Sequence, residues 1–112
     1  MMQHEKLICY QNLLALAAEL TTQSLRWPKG SGWLADQLKR AIGSALLNLS
    51  EGNGKQQGRL ERHRFFQMSL GSIAESSTIL DLAKAYRYST KEDVQRQKGT
   101  LLHAYNQIRK LP

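Results

Sequence analysis

The residues of this sequence that could do chemistry are Glu51 and Glu75, three histidines, one cysteine and a Gly-Asn-Gly-Lys run at 52–55. A Walker-type phosphate loop needs Gly-x4-Gly-Lys-Ser/Thr between a strand and a helix. Here Leu49 stands five residues before Gly54, and Gln56 follows Lys55 where a magnesium-binding hydroxyl is required. The preceding segment, Gln37 to Leu47, reads as helix, so the run does not make a nucleotide-hydrolysis site. Glu51 and Glu75 could pair for acid–base or metal chemistry, but no Glu-x-x-His ligand pair accompanies them. His4, His63 and His103 are too dispersed for metal-ligand spacing. Cys9 sits among apolar residues and reads as packing. Ser44 and Ser72 fall in helical segments with no nucleophile elbow. No acid–base set converges, and the expectation is a protein that is not an enzyme, with no cofactor and no metal.

The elements that must carry these residues are helices. Apolar residues recur at three and four, and no segment sustains strand alternation. A first stripe runs Leu7, Tyr10, Leu14, Ala17 and Thr21, widened by Leu13, Leu16 and Leu20. Trp27-Pro28-Lys29-Gly30-Ser31-Gly32 breaks it, because proline fixes φ and the glycines free the chain to turn. The two tryptophans flanking that turn, Trp27 and Trp33, are expected to lid the bundle end. A second stripe carries Leu34, Leu38, Ala41, Ile42, Ala45 and Leu49, with Gly52 placed to cap its C-terminus. Asn53 to Gly58 reads as linker. A third helix follows with Phe66, Leu70, Ile73, Ser77 and Leu80 on one line and Phe65, Met68, Ile79 and Tyr86 beside it. Thr90, with Asp93 three residues on, caps a fourth helix bearing Val94, Leu101, Tyr105 and Ile108. The expectation is one domain over residues 1–112, all-α, with helices near 4–25, 32–51, 59–87 and 91–110. Four amphipathic helices on short connectors pack most simply as an antiparallel up-down four-helix bundle.

Polar residues interrupt that pattern in an ordered way. With Leu38 at zero and about 100° per residue, Gln37, Asn48, Ser44 and Glu51 fall near −100°, −80°, −120° and −140°. They form a ridge bordering the core of the second helix. Ser72 flanks the third helix's stripe in the same way, and Glu75 lies further round. Half-buried polar groups need partners, so Gln37, Ser44, Asn48, Glu51, Ser72 and Glu75 are expected to form a polar network fixing the register of the bundle. Leu47 and Leu82 lie opposite their helices' stripes, with Gly43 and Gly71 permitting close approach, which leans towards an oligomer.

The chain of 112 residues carries a formal net charge of +7. Residues 1–54 hold five cations and four anions, whereas residues 55–112 hold eleven and five. A positive field of that size favours polyanions, nucleic acid before lipid. Lys55, Arg59, Arg62, His63 and Arg64 crowd the start of the third helix, where the helix dipole already disfavours cations. A cationic helix N-terminus is a good phosphate site. Lys91, Arg96 and Lys98, with Arg109 and Lys110, add a second basic field on the fourth helix. No aromatic strand motif, zinc finger or glycine-rich RNA clamp appears, so binding of RNA or DNA would be backbone-led and salt-sensitive. One cysteine permits no internal disulfide, the longest apolar run is Leu13–Ala18, and the first residues lack an apolar signal core. The expected location is cytoplasmic, with no membrane.

"QLKRAIGSALLNLSEGNGK" followed by "RFFQMSLGSIAESSTIL" resembles the two-part signature of the four-helix-bundle family named for proteins encoded in 23S rRNA intervening sequences. The matching positions are Gln37, Lys39, Arg40, Ala41, Ser44, Asn48, Glu51, Gly52, Gly54 and Lys55, then Phe65, Phe66, Gly71, Ser72 and Glu75. The resemblance implies an antiparallel bundle assembling into a ring-like homopentamer. It also implies a relation to the accessory variability determinants of diversity-generating retroelements, which bind nucleic acid and a reverse transcriptase. The expected function is therefore a non-enzymatic basic oligomer that binds nucleic acid as an accessory or scaffold. The alternative is a protein–protein scaffold, for example a reverse-transcriptase accessory subunit, without intrinsic nucleic-acid affinity.

Overall fold

The computed structural model describes residues 1–55 and 58–112. A short 3-10 turn, Gln3–Lys6, precedes four helices: α1 (Ile8–Ser24), α2 (Gly32–Asn53), α3 (Arg59–Ala85) and α4 (Lys91–Ile108). The described residues contain no strand. They pack antiparallel into an elongated bundle, 46 × 23 × 22 Å. The expected first helix from residue 4 is two pieces, divided where Leu7 adopts an extended backbone. Two residues of the expected linker, Gln56 and Gln57, lie outside the described residues.

Side-chain bonds set the vertical register. The Ser69 hydroxyl donates to the Ala45 carbonyl at 2.7 Å, and Ser72 to the Ser44 hydroxyl at 2.9 Å, which levels the middle of α3 with the middle of α2. Lys98 pairs with Asp81 at 2.7 Å and Gln23 donates to Asp93 at 3.2 Å, fixing α4 against α3 and α1. One end of the bundle thus gathers the 3-10 turn, the α2–α3 connector and the C-terminal residues. The other gathers the α1–α2 and α3–α4 connectors.

The core residues of α2 are those of its stripe, Leu34, Leu38, Ala41, Ile42, Ala45 and Leu49. On α1 the buried line is Cys9, Leu13, Leu16 and Leu20. Leu14 and Thr21, expected at its centre, are exposed. α1 is apolar on several sides, so its neighbours rather than its pattern decide which side faces in. On α3, Met68 and Tyr86 are exposed and Ser77 half-buried, while Ser69 and Ser76 are fully enclosed. Leu82 packs half-buried against the core and is not an outward leucine; Leu47 is 71% exposed.

The ends are closed by specific devices. The Thr90 hydroxyl accepts from the Asp93 amide at 3.1 Å, satisfying one of the first amides of α4. α3 ends in a Schellman turn, with the Tyr88 amide donating to Ala83 O at 2.8 Å and Arg87 to Lys84 O at 3.0 Å. Arg87 occupies the left-handed position of that turn, at φ 64. Trp27 is buried and donates its indole N–H to Ser89 Oγ at 3.2 Å, with Tyr88 beside it at 5.7 Å. Trp33 is 55% exposed and closes nothing. Gly52 does not end α2, which runs on to Asn53 with Gly54 at the C-cap. A Cβ at Gly52 would sit 2.8 Å from the Phe66 ring, so this glycine lets α2 and α3 approach closely.

Candidate nucleic-acid interface

The cations expected to form one basic field separate once folded. α4 rises from Lys91 at one end of the bundle to Arg109 at the other, roughly 27 Å at 1.5 Å per residue. Lys91 therefore stands far from the start of α3, where Arg59 and Arg64 lie exposed. The end that holds Arg59 and Arg64 also holds Arg109 and Lys110, because the Arg62 Nε donates to the main-chain oxygen of Pro112 at 2.6 Å. Arg109 and Lys110 are exposed. Among the described residues none of these four cations is in an ion pair.

The remaining candidates are held inside the protein's own contacts. Arg62 points inward, its Nη1 reaching the Asn53 carbonyl at 3.2 Å and the Gly52 carbonyl at 3.4 Å, with its guanidinium carbon 5.0 Å from the Phe66 ring centre. It covers carbonyls of the last turn of α2, where the helix dipole favours a cation. Lys55 lies between Glu51 at 3.4 Å and Glu61 at 3.8 Å and over the Phe65 ring at 5.7 Å. His63 is half-buried, and its Nε2 has no hydrogen-bond partner. Arg96 grips Glu19 with both terminal nitrogens and reaches Asp93 at 3.5 Å. That hydrogen bond holds the Glu19 carboxyl below its ordinary range and pushes the Arg96 guanidinium further up. Lys98 is paired with Asp81.

The expected polar network is smaller than its six members. Ser44, Asn48 and Ser72 form it: Asn48 donates to the Ser44 carbonyl at 2.9 Å and to its hydroxyl at 3.1 Å, while Ser72 joins across the helices. Gln37 and Glu75 are exposed outside it, and Glu51 turns to Lys55. Glu51 and Glu75 lie further round their helices, at the outer edge of the seam, and Gln37 stands two turns along α2 from Ser44, out of reach of Ser72. A second polar cluster had not been expected. Gln97, with no exposed surface, donates its amide to Gln23 and to Glu19 at 3.1 Å, and its Oε1 is left without a partner. Gln97 recurs at helical spacing with Val94, Leu101 and Ala104, and Arg62 falls on the Phe66–Ile73 line. Position on the stripe was the signal for both.

Cys9 is buried, and that burial pushes its thiol pKa up. No three His, Cys, Asp or Glu residues cluster to hold a metal among the described residues. No described helix is long and apolar enough to cross a membrane.

The fold defines an all-α, antiparallel four-helix bundle with a polar lock between α2 and α3. Within that class, the chain belongs to the 23S rRNA-intervening sequence protein family, whose model matches residues 5–110. A crystal structure of a protein of unknown function from the S23 ribosomal protein family of Bacteroides thetaiotaomicron VPI-5482 shares the fold. It has a TM-score of 0.77 and 15% identity, over 90% of this chain and 94% of that one. A search of curated proteins returns no match.

Proposed function

We propose that this chain is a non-enzymatic helical-bundle homo-oligomer, a pentamer, that holds RNA by its backbone as an accessory or scaffold protein in the cytoplasm. The observation that carries this reading is the group of exposed cations at one end, Arg59, Arg64, Arg109 and Lys110, none of them in an ion pair among the described residues. Family membership supports an RNA-associated role. With no base-reading element among the described residues, the cations touch phosphate, and duplex DNA competes through the same charges.

The test is anisotropy titration of structured RNA and duplex DNA at two salt concentrations, using Arg59→Glu with Arg64→Glu as the variant. Arg62 stays intact because it holds the fold. Four phosphate contacts give a salt slope of about −3 to −4 on duplex DNA. The double variant is expected to lose most of the affinity and flatten that slope; unchanged affinity would sink the reading.

The neutralisation of Arg96 by Glu19 and of Lys98 by Asp81 favours a second reading, a protein scaffold for a partner such as a reverse transcriptase. In that case wild-type protein binds RNA no better than a charge-matched control.

A further inference from the structure

Several of the residues behind the sequence resemblance meet on one stretch of surface, the outer side of the α2–α3 seam. Ser44 and Ser72 mark its centre. One turn from Ser44 towards the start of α2 stands Arg40; one turn from Ser72 along α3 stands Glu75. The antiparallel register brings the two to the same level, both exposed, yet they form no ion pair among the described residues. One turn the other way, Leu47 and Met68 stand level, 71% and 47% exposed. Trp33, three turns below Ser44, extends the apolar surface along α2. Between Met68 and Glu75, Gly71 leaves the α3 backbone bare, and a Cβ there would meet nothing within 4 Å. A helix-interior glycine costs roughly 0.5–1 kcal/mol relative to alanine, and nothing inside the protomer requires this one.

Charge identifies what covers this face. The protein carries +7, but along this face Arg40, Lys55 and Arg64 are matched by Glu51, Glu61 and Glu75, so it contributes none of that excess. A polyanion gains little there. A second copy of a chain at +7 is repelled by most of this surface and approaches the neutral face with least repulsion. The face spans Trp33 to Glu51, roughly 27 Å by the width of two helices, which is the scale of one side of a standard protein interface.

We propose that the outer face of the α2–α3 seam docks a second copy of this chain, Leu47 and Met68 supplying the apolar centre and Arg40 and Glu75 the charged flank. This rests on the homo-oligomer reading and names the surface that makes it.

The experiment is the solution mass of full-length protein by light scattering, for wild type, Leu47→Glu and Leu102→Glu. Leu102 is the control, exposed beside the α3–α4 groove. The expected result is a wild-type multimer that Leu47→Glu reduces to a cooperatively melting monomer while Leu102→Glu leaves its mass unchanged. Should Leu47→Glu not fold, Arg40→Glu carries the test, weakening association by roughly tenfold or more. A multimer that survives the seam variants, or that Leu102→Glu dissociates, overturns the assignment of this face alone. A monomeric wild type overturns the homo-oligomer reading with it.

Discussion

The ring of Phe66 lies against Gly52 so closely that a Cβ on residue 52 would stand 2.8 Å from two ring carbons and 3.1 Å from the Arg62 carbonyl. Phe66 is buried and has no room to retreat. Gly52→Ala gains helix propensity of up to about 1 kcal/mol, but overpacking of this kind costs about 1–3 kcal/mol. The expected outcome is a net loss of stability, read as a lower urea midpoint.

Arg62 and Arg64 are two residues apart and do opposite things. Arg62→Ala strips the charged cover from the end of α2 and is expected to cost about 1.5–3 kcal/mol. Arg64→Ala removes an exposed side chain and is expected to change stability by less than about 0.5 kcal/mol. Thermal melts of the two variants side by side check the contrast; equal losses would mean Arg62 is not the clasp described.

Gln97 is enclosed with one amide oxygen unsatisfied. Gln97→Leu keeps the volume and removes that orphan, and its former partners Glu19 and Gln23 retain access to water. Its stability is expected to equal or exceed wild type, whereas Gln97→Ala opens a cavity and costs about 2 kcal/mol or more. Denaturant titration separates them.

Acid should loosen the α1–α4 pair before it loosens the rest. The Arg96 hydrogen bond holds the Glu19 carboxyl below its unfolded value. A carboxyl with a lowered folded pKa contributes stability that is fully present above its unfolded pKa, near 4.3, and is lost as pH falls through the folded one. Melting temperature should drop through that acid window, and Glu19→Gln should show a shallower drop. The pair is partly exposed, so added salt should shrink the difference.

The fold was readable where one face of a helix alone was apolar. α2 shows this best, since Leu34, Leu38, Ala45 and Leu49 admit one inward direction. α1 offers apolar residues on several sides, and Leu14 looked as central as Leu13. The Thr90 cap was readable because hydroxyl and carboxylate spacing there is local. The candidate site was harder to read, because a cation's availability depends on what the fold brings beside it. Arg62, Arg96 and Lys98 look like Arg59 and Arg64 in sequence. Their partners Asn53, Glu19 and Asp81 are nine, 77 and 17 residues away. Only the antiparallel register brings those groups together.

The chain carries its own pair of optical probes. Trp27 is enclosed and bonded to Ser89, whereas Trp33 is half in solvent on the face assigned to a neighbouring copy. Their emission spectra should therefore differ in colour and respond to different events. Trp27 reddens only when the bundle unfolds, and Trp33 turns bluer when dilute protomers associate. With Trp27→Phe and Trp33→Phe as single-probe forms, fluorescence alone can follow folding and assembly on one sample, without an added dye.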